Sequence, residues 1–459
     1  MADKPKLRIK IKDFRAIHSA DIILNGITVV AGINGSGKST ISKLLYRTVK
    51  TAIDFDKLVA ENLFKELRDV RHFLDELSHE VEFFSRINLN RENRKKIAKE
   101  EFDLGFKFNR LFNFIGDMDL KEQEKKILES IDLSSKTFKE LPEEFKKEER
   151  FKVRFYRLER FFKEEFFQKE KDPKKIDIPA LLEKLKENIK KRFQKAYSDI
   201  ENRPIYLLDK TIENYFTEDI DVNNYDIEEL GALITNRADK KVSNFLTINK
   251  VAFIDTPMIV GVEDIGMTNV PHWEELDSLL KNKGENVNKK SKISKILKDE
   301  IIEGETKYDS KNDNFIYKRN DNFSLDLLSC ATGLKSFSVL QMLFNNGFLD
   351  NKTLLILDEP EVHLHPEWIV QYARLVVLLH KEYKVNFLIG SHNPDMVMAI
   401  KYIAEKELGK NNNSVNFYVA KEFEKYSFDY ENSYNSIEPI FSSFNTSLDK
   451  INEYGPSKD

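Results

Sequence analysis

The ten residues from Ala31 to Thr40, AGINGSGKST, constrain this chain more than any other stretch. Gly32-Ile33-Asn34-Gly35-Ser36-Gly37-Lys38-Ser39 fits G-x-x-x-x-G-K-[ST], the phosphate-binding P-loop. Such a loop needs a buried strand before it and a helix after it, so that backbone N–H groups at a helix N-terminus meet the phosphates. Both flanks are present. Ile27-Thr28-Val29-Val30 is a β-branched run that predicts a buried strand, and Thr40 to Val49 predicts a helix. Gly32, Asn34, Gly35, Ser36, Gly37 and Thr40 are the expected cradle. Lys38 is expected to reach the β- and γ-phosphates and the Ser39 hydroxyl to hold Mg²⁺.

A chain of 459 residues has room for two or three domains. Charged residues make up 33% of it, yet the net charge is only −4, so no global basic or acidic bias marks a nucleic-acid or membrane-surface binder. No apolar run approaches the ~18 residues that cross a bilayer. The N-terminal MADKPKLRIK lacks the apolar core of a signal peptide. One cysteine, Cys330, excludes an internal disulfide framework. A soluble cytoplasmic protein is expected.

Leu7 to Phe14 alternates apolar and basic residues as a half-buried strand does, and Ala20 to Leu24 is a second strand closed by Asn25-Gly26. Together they predict a small antiparallel sheet beside a parallel one. From about Asp56 the grammar changes. Leu63, Leu67, Val70, Leu74, Leu77, Val81 and Phe84 form a seam of period 3.5, which fits a coiled coil or an amphipathic helix on a globular core. A second helix is expected from Pro142, carrying Phe151, Phe155, Leu158, Phe162 and Phe166, and a third from Pro179 through Leu182, Leu185, Ile189 and Phe193. Residues 56–245 therefore read as a helical insertion between head segments 1–55 and 246–459. The insertion holds basic stretches at Arg91–Lys96, Lys152–Lys163 and Lys190–Arg192 that suit DNA or RNA phosphates. Interspersed acids make solvated helix faces the stronger reading.

The second half of a nucleotide site lies far downstream. Thr353 to Leu357 is a continuous apolar run, as a central strand buried on both faces requires, and it ends in Asp358-Glu359. Asp358 is thus placed to support Mg²⁺, and Glu359 to polarise the attacking water as general base. The wider stretch, Asp358-Glu359-Pro360-Glu361-Val362-His363-Leu364-His365-Pro366, resembles the extended Walker B segment of the OLD-like AAA-type ATPases of the ABC class, relatives of the SMC and RecF proteins. Leu328 to Phe337 (LSCATGLKSF) resembles their signature loop, and Phe387 to Pro394 (FLIGSHNP) the strand ending in their switch histidine. The resemblance covers about 1–55 and 246–400.

That resemblance implies an α/β head with a mixed sheet, ATP and Mg²⁺ as ligands, and ATP hydrolysis. It further implies a homo-oligomer in which Thr332 and Gly333 of one subunit close on the γ-phosphate held by another, with His392 sensing or stabilising it. In this chain Ala331 stands where the signature serine is usual, and Asp255, not glutamine, ends the strand at Val251–Ile254. His363 and His365 read as structural, and Trp368 as packing. The 67 residues after His392 leave little room for the toprim nuclease that many OLD-like proteins carry. The layout also resembles ATPase subunits of PARIS- and Septu-type phage-defence pairs, which implies control of a separate effector, a nuclease. The alternative is a DNA-binding repair ATPase of the RecF or SMC kind. DNA or a phage component is thus a further candidate partner.

Overall fold

The computed structural model describes residues 6–68, 70, 119–140, 178–216, 220–262, 265, 268, 270–282, 291–410 and 412–433. These form two compact units, 1–53 with 204–459, and 54–203. The expected helix from Pro142 and the basic stretches 91–96 and 152–163 lie outside the described residues, as do Gly284–Lys290, whose polar sequence reads as a surface loop, and Ile437–Tyr454, which reads as a helix.

The first unit is built on one ten-stranded mixed sheet. Strands β1 (Leu7–Phe14), β2 (Ile17–Leu24) and β3 (Ile27–Ala31) lead into helix α1 (Lys38–Ile53). Later come β4 (Tyr225–Glu229), β5 (Ala232–Leu233) and β8 (Lys250–Ile254), with the small pair β6 (Thr235–Asn236) and β7 (Lys241–Val242) between them. The chain closes the sheet with β12 (Thr353–Asp358), β13 (Asn386–Ser391), β14 (Val415–Glu424) and β15 (Ser427–Asn432). The order is β5-β4-β1-β2-β15-β14-β3-β13-β12-β8. A separate three-stranded sheet is made by β9 (Gly304–Asp309), β10 (Asn314–Arg319) and β11 (Ser324–Asp326).

The α/β class with a mixed sheet is as expected, but the antiparallel and parallel parts are not separate. Strand β15 hairpins back from β14 and then runs parallel to β2, which joins the two halves. The parallel block β14-β3-β13-β12-β8 is covered on both faces, which is why its strands read as unbroken apolar runs. Helix α1 packs against β8, β12, β13 and α4 (Ile205–Phe216), and α5 (Pro271–Lys281) packs against β8. On the opposite face, Val29, Leu355, Leu357, Phe387 and Ile389 share a core with α6 (Thr332–Asn345), α7 (Pro366–Tyr383) and α8 (Pro394–Leu408).

The head resumes earlier than expected. Strand β4 pairs antiparallel with β1, Ile9 opposite Ile227, so residues from Pro204 onward belong to the head, and the insertion ends at Arg203 instead of 245. The segment YDIEE hid this because its outward positions are acidic. Buried Glu229 then steers the chain into β8: its carboxylate accepts from the N–H groups of Leu246 (2.5 Å) and Thr247 (2.8 Å) and from the Thr247 hydroxyl (2.6 Å).

In the second unit α2 (Leu120–Glu140) and α3 (Ile178–Asn202) pack together. Leu182, Leu185, Ile189 and Phe193 form the buried stripe of α3, as their spacing predicts. Leu63, Leu67 and Val70 of the 3.5-period seam are buried as well, while Leu74, Leu77, Val81 and Phe84 lie outside the described residues. Arg192 pairs with Glu66, and Lys186 with Asp132 at 2.5 Å. Of the Lys190–Arg192 stretch, Arg192 is thus paired within the unit, while Lys190 and Lys191 are exposed.

Replacing Glu229 by alanine would remove the acceptor of two part-buried hydrogen bonds from backbone N–H groups and one from a hydroxyl. A loss of about 2–4 kcal/mol in urea unfolding is expected, with Glu229→Gln losing less.

Candidate nucleotide site

The site is assembled at the carboxyl ends of three adjacent parallel strands, β3, β13 and β12, where open α/β sheets place ligands. The P-loop leaves β3 with Gly35 at φ +82° and Gly37 at φ +99°, left-handed values that glycine adopts without strain. Gly32 is needed for a different reason. A Cβ there would stand 2.7 Å from the Ala420 Cβ and 2.8 Å from the Ser36 Oγ. The Tyr430 hydroxyl on β15 donates to the Ser36 carbonyl at 2.9 Å, so the loop is braced from the sheet that stitches the two halves. Helix α1 starts at once, with Ile41 N–H bonded to the Gly37 carbonyl at 3.0 Å.

Lys38 is only 4% exposed. Its ammonium donates to the carbonyls of Gly32 (2.9 Å) and Ile33 (3.0 Å) and lies 3.9 Å from Glu359 Oε1. Burial pulls its pKa down, against the pull of Glu359, Asp358 and Glu361 in the other direction. Asp358 is 7% exposed. Burial pushes its carboxyl up to about 6, opposed by a hydrogen bond from the Ser39 side chain and by Lys38, and reinforced by Glu359 and Asp255. Asp358 Oδ1 is buried with no hydrogen-bond partner. A Ser39 hydroxyl beside an underused buried carboxylate oxygen is a hard oxygen donor set that fits Mg²⁺.

Glu359 follows Asp358 in a left-handed conformation, φ +49°, that costs a non-glycine residue about 1 kcal/mol or more. Its N–H is tied to the Gly390 carbonyl at 2.8 Å, and its carbonyl accepts from Val362 N–H at 3.0 Å, which closes a tight turn. Glu359 Oε1 sits 3.0 Å from His392 Nδ1. Nδ1 has no hydrogen-bond partner, so the two groups are neighbours that form an ion pair only when the imidazole is protonated.

Lys38, Ser39, Asp358, Glu359 and His392 are therefore brought together. Thr332 and Gly333 are not. Both stand at the start of α6, whose N-cap residue Ala331 supplies no side-chain cap. The Thr332 hydroxyl points at the Met258 sulfur (3.6 Å), and a Cβ on Gly333 would strike the Trp368 ring at 2.7 Å. Trp368 also packs edge-on to Phe337, so it is a support for this helix start. Asp255 has both oxygens engaged, by His272 Nε2 and Trp273 Nε1, each at 2.9 Å. Burial pushes its pKa up, but these hydrogen bonds together with the charges of His272 and Lys43 bring it below the usual carboxylate range. His365 caps α7, its Nδ1 3.4 Å from Glu367 N, and His363 occupies a left-handed turn position at φ +67°.

A family model described as an AAA ATPase domain matches residues 7–397. This chain belongs to that family. No curated protein matches it. Among solved structures the ATPase is similar to the Pyrococcus furiosus Smc head domain with an extended coiled coil, bound to the C-terminal domain of ScpA. The identity is 10%, 96% of this chain and 98% of that one are covered, and the TM-score is 0.31. It is also similar to the Pyrococcus yayanosii Smc head domain with a coiled coil and joint (12%, 96% and 99% covered, TM-score 0.34). A third similar structure is an Smc head bound to the C-terminal winged-helix domain of ScpA (9%, 95% and 100% covered, TM-score 0.37).

Three residues of the ATPase site escaped sequence reasoning. A Cβ on Gly390 would meet Asp358 Oδ1 at 2.7 Å, so a glycine inside a central strand was the available signal. Glu361 and Ser391 bond to each other beneath the site, at 2.6 Å, and nothing in their spacing announces it.

Gly390→Ala should displace the Asp358 carboxylate and weaken Mg²⁺-dependent ATP binding roughly tenfold or more by calorimetry, with the fold intact by circular dichroism. The raised pKa of Asp358 means that its ionised form costs stability. The cost is absent below pH ~4, grows up to about 6 and is constant above. Asp358→Asn should thus stabilise the nucleotide-free protein at pH 8 by on the order of 1–3 kcal/mol in thermal unfolding, and not at pH 4.

Proposed function

We propose that this ATPase is an ATP-gated switch that works as a homo-oligomer and controls a separate effector. The observation that carries the hydrolytic part is the convergence of Lys38, Ser39, Asp358, Glu359 and His392 at three neighbouring strand ends. In this reading the P-loop amides of Gly35 to Ser39 and the Lys38 ammonium hold the phosphates. Ser39 and Asp358 would hold Mg²⁺, which when bound would neutralise phosphate charge. Glu359 accepts a proton from the attacking water, and His392, facing the same space, orients that water or the γ-phosphate. The left-handed Glu359 backbone aims its carboxylate away from the strand and towards Lys38.

The oligomer is supported by what the site lacks within one chain. Thr332 and Gly333 lie at an uncapped helix start that packs on Met258 and Trp368, not on the P-loop. A helix N-terminus without a side-chain cap suits a γ-phosphate carried by a second copy. The likeness of the LSCATGLKSF segment to stand-alone phage-defence ATPases supports a nuclease as effector. The DNA-repair alternative would rest on basic insertion residues, and Arg192 is already paired with Glu66.

Lys38→Ala should abolish ATP binding. Glu359→Gln should keep it, lose hydrolysis by about 10²-fold or more, and trap an oligomer detectable by light scattering in ATP and Mg²⁺. Normal turnover by Glu359→Gln would remove the general-base assignment, and a protein that stays monomeric under those conditions would remove the switch. Co-purification with the product of a neighbouring nuclease gene tests the effector, and ATP-dependent DNA binding that falls with salt would favour the alternative.

A further inference from the structure

The turn after β12 carries a third carboxylate, Glu361, with no place in the chemistry above. It is 5% exposed. Its Oε1 accepts from the Ser391 hydroxyl at 2.6 Å and from the His392 N–H at 3.2 Å. Ser391 Oγ in turn accepts from Asn393 N–H at 3.1 Å. One oxygen thus anchors, directly or through Ser391, the three residues that turn the chain from β13 towards α8. The other oxygen, Oε2, is buried without a partner. A carboxylate buried on two donors and one empty oxygen is a poor stabiliser, because its desolvation exceeds what those bonds return. Its presence calls for another explanation.

The geometry supplies one. Glu361 and Glu359 belong to the same turn, and His392 stands between them, with Nδ1 3.0 Å from Glu359 Oε1 and 3.8 Å from Glu361 Oε1. The backbone N–H of His392 is held by Glu361, and its ring faces Glu359. We propose that Glu361 is a positioning residue that locks the Ser391–Asn393 loop to the turn carrying Glu359, so that His392 and Glu359 keep a fixed separation during hydrolysis. Without that brace the loop hangs only from β13 and the cap of α8. A drift of about 1 Å between two groups acting on one water costs on the order of 10²-fold in rate. The brace needs an acceptor oxygen, not a negative charge, so glutamine can replace it.

This inference rests on the reading of His392 as part of the hydrolytic site, and a double-mutant cycle separates the two. Steady-state ATPase kinetics would be measured for Glu361→Ala, Glu361→Gln, His392→Ala and the Glu361→Ala/His392→Ala pair. Glu361→Ala should lower kcat roughly 10–100-fold with KM for ATP within about threefold, and Glu361→Gln should recover most of it. The double variant should be no worse than His392→Ala alone. Multiplicative losses in the double variant, or a Glu361→Gln as slow as Glu361→Ala, would overturn the proposal. A normal His392→Ala removes the reading of His392 and the brace with it, whereas an impaired His392→Ala beside a normal Glu361→Ala removes the brace alone. Should Glu361→Ala fail to fold, Ser391→Ala cuts the hydroxyl arm: a reduced kcat that is non-additive with His392→Ala supports the brace, and an unchanged kcat overturns it.

Discussion

The head depends on a close approach between the Asp358 carboxylate and the backbone of Gly390, where an added Cβ would stand 2.7 Å from Asp358 Oδ1. There is space for a hydrogen on that Cα and for nothing larger. The sheet dictates this contact. Strand β13 lies between β3 and β12 in parallel register, with Ser391 beside Ala31 and Gly390 beside both Val30 and Asp358. The three strands therefore end at the same level, and whatever leaves their carboxyl ends must share one small volume. Lys38 comes from β3 through the P-loop, His392 from β13, and Asp358 and Glu359 from β12. A bulkier residue at 390 would separate the two halves of the site although every other residue kept its identity.

Crowding so much charge has an energetic consequence. Lys38, Asp358 and Glu361 are all nearly buried, and burial opposes the charged form of each. One cation faces three carboxylates, counting Glu359. Part of the fold's stability is spent on keeping these groups ionised and close. A ligand that brings compensating charges recovers it, since anything that binds only the folded state stabilises it by mass action. Phosphates would answer Lys38, and a divalent cation would answer the unpartnered Asp358 oxygen. The strain at Glu359 follows the same logic: a left-handed glutamate persists because Gly390 and Val362 hold its backbone on both sides.

Much of this was legible in the sequence where one physical rule dominates. The P-loop, the buried strands β3 and β12 and the α3 stripe follow from glycine spacing and apolar periodicity, and they stand where expected. Legibility fails where pairing is non-local. Nothing local in YDIEE marks it as a partner of β1, some 200 residues earlier, so the insertion was drawn too long. The link between β15 and β2 was missed for the same reason. In the candidate site, the candidate chemical residues are readable from type and order, whereas the contacts of Gly390, Glu361, Ser391 and Tyr430 become visible only in three dimensions.

The stretch DEPEVHLHP shows how one run of residues serves several physical demands in sequence. Asp358 ends a strand buried on both faces and so points a carboxylate at the P-loop helix. A left-handed step at Glu359 breaks the two-residue alternation, which sends successive acids to different places instead of along one strand face. Glu361 turns back beneath the sheet end to the β13 loop. A second left-handed residue, His363, turns the chain again. His365 then caps α7, and Pro366 occupies its first turn, where a missing N–H costs nothing. That helix carries Trp368 to the start of α6. Both left-handed turns lie on the path from a carboxylate pair at the nucleotide site to the Trp368 platform under Gly333, within the eleven residues from Asp358 to Trp368.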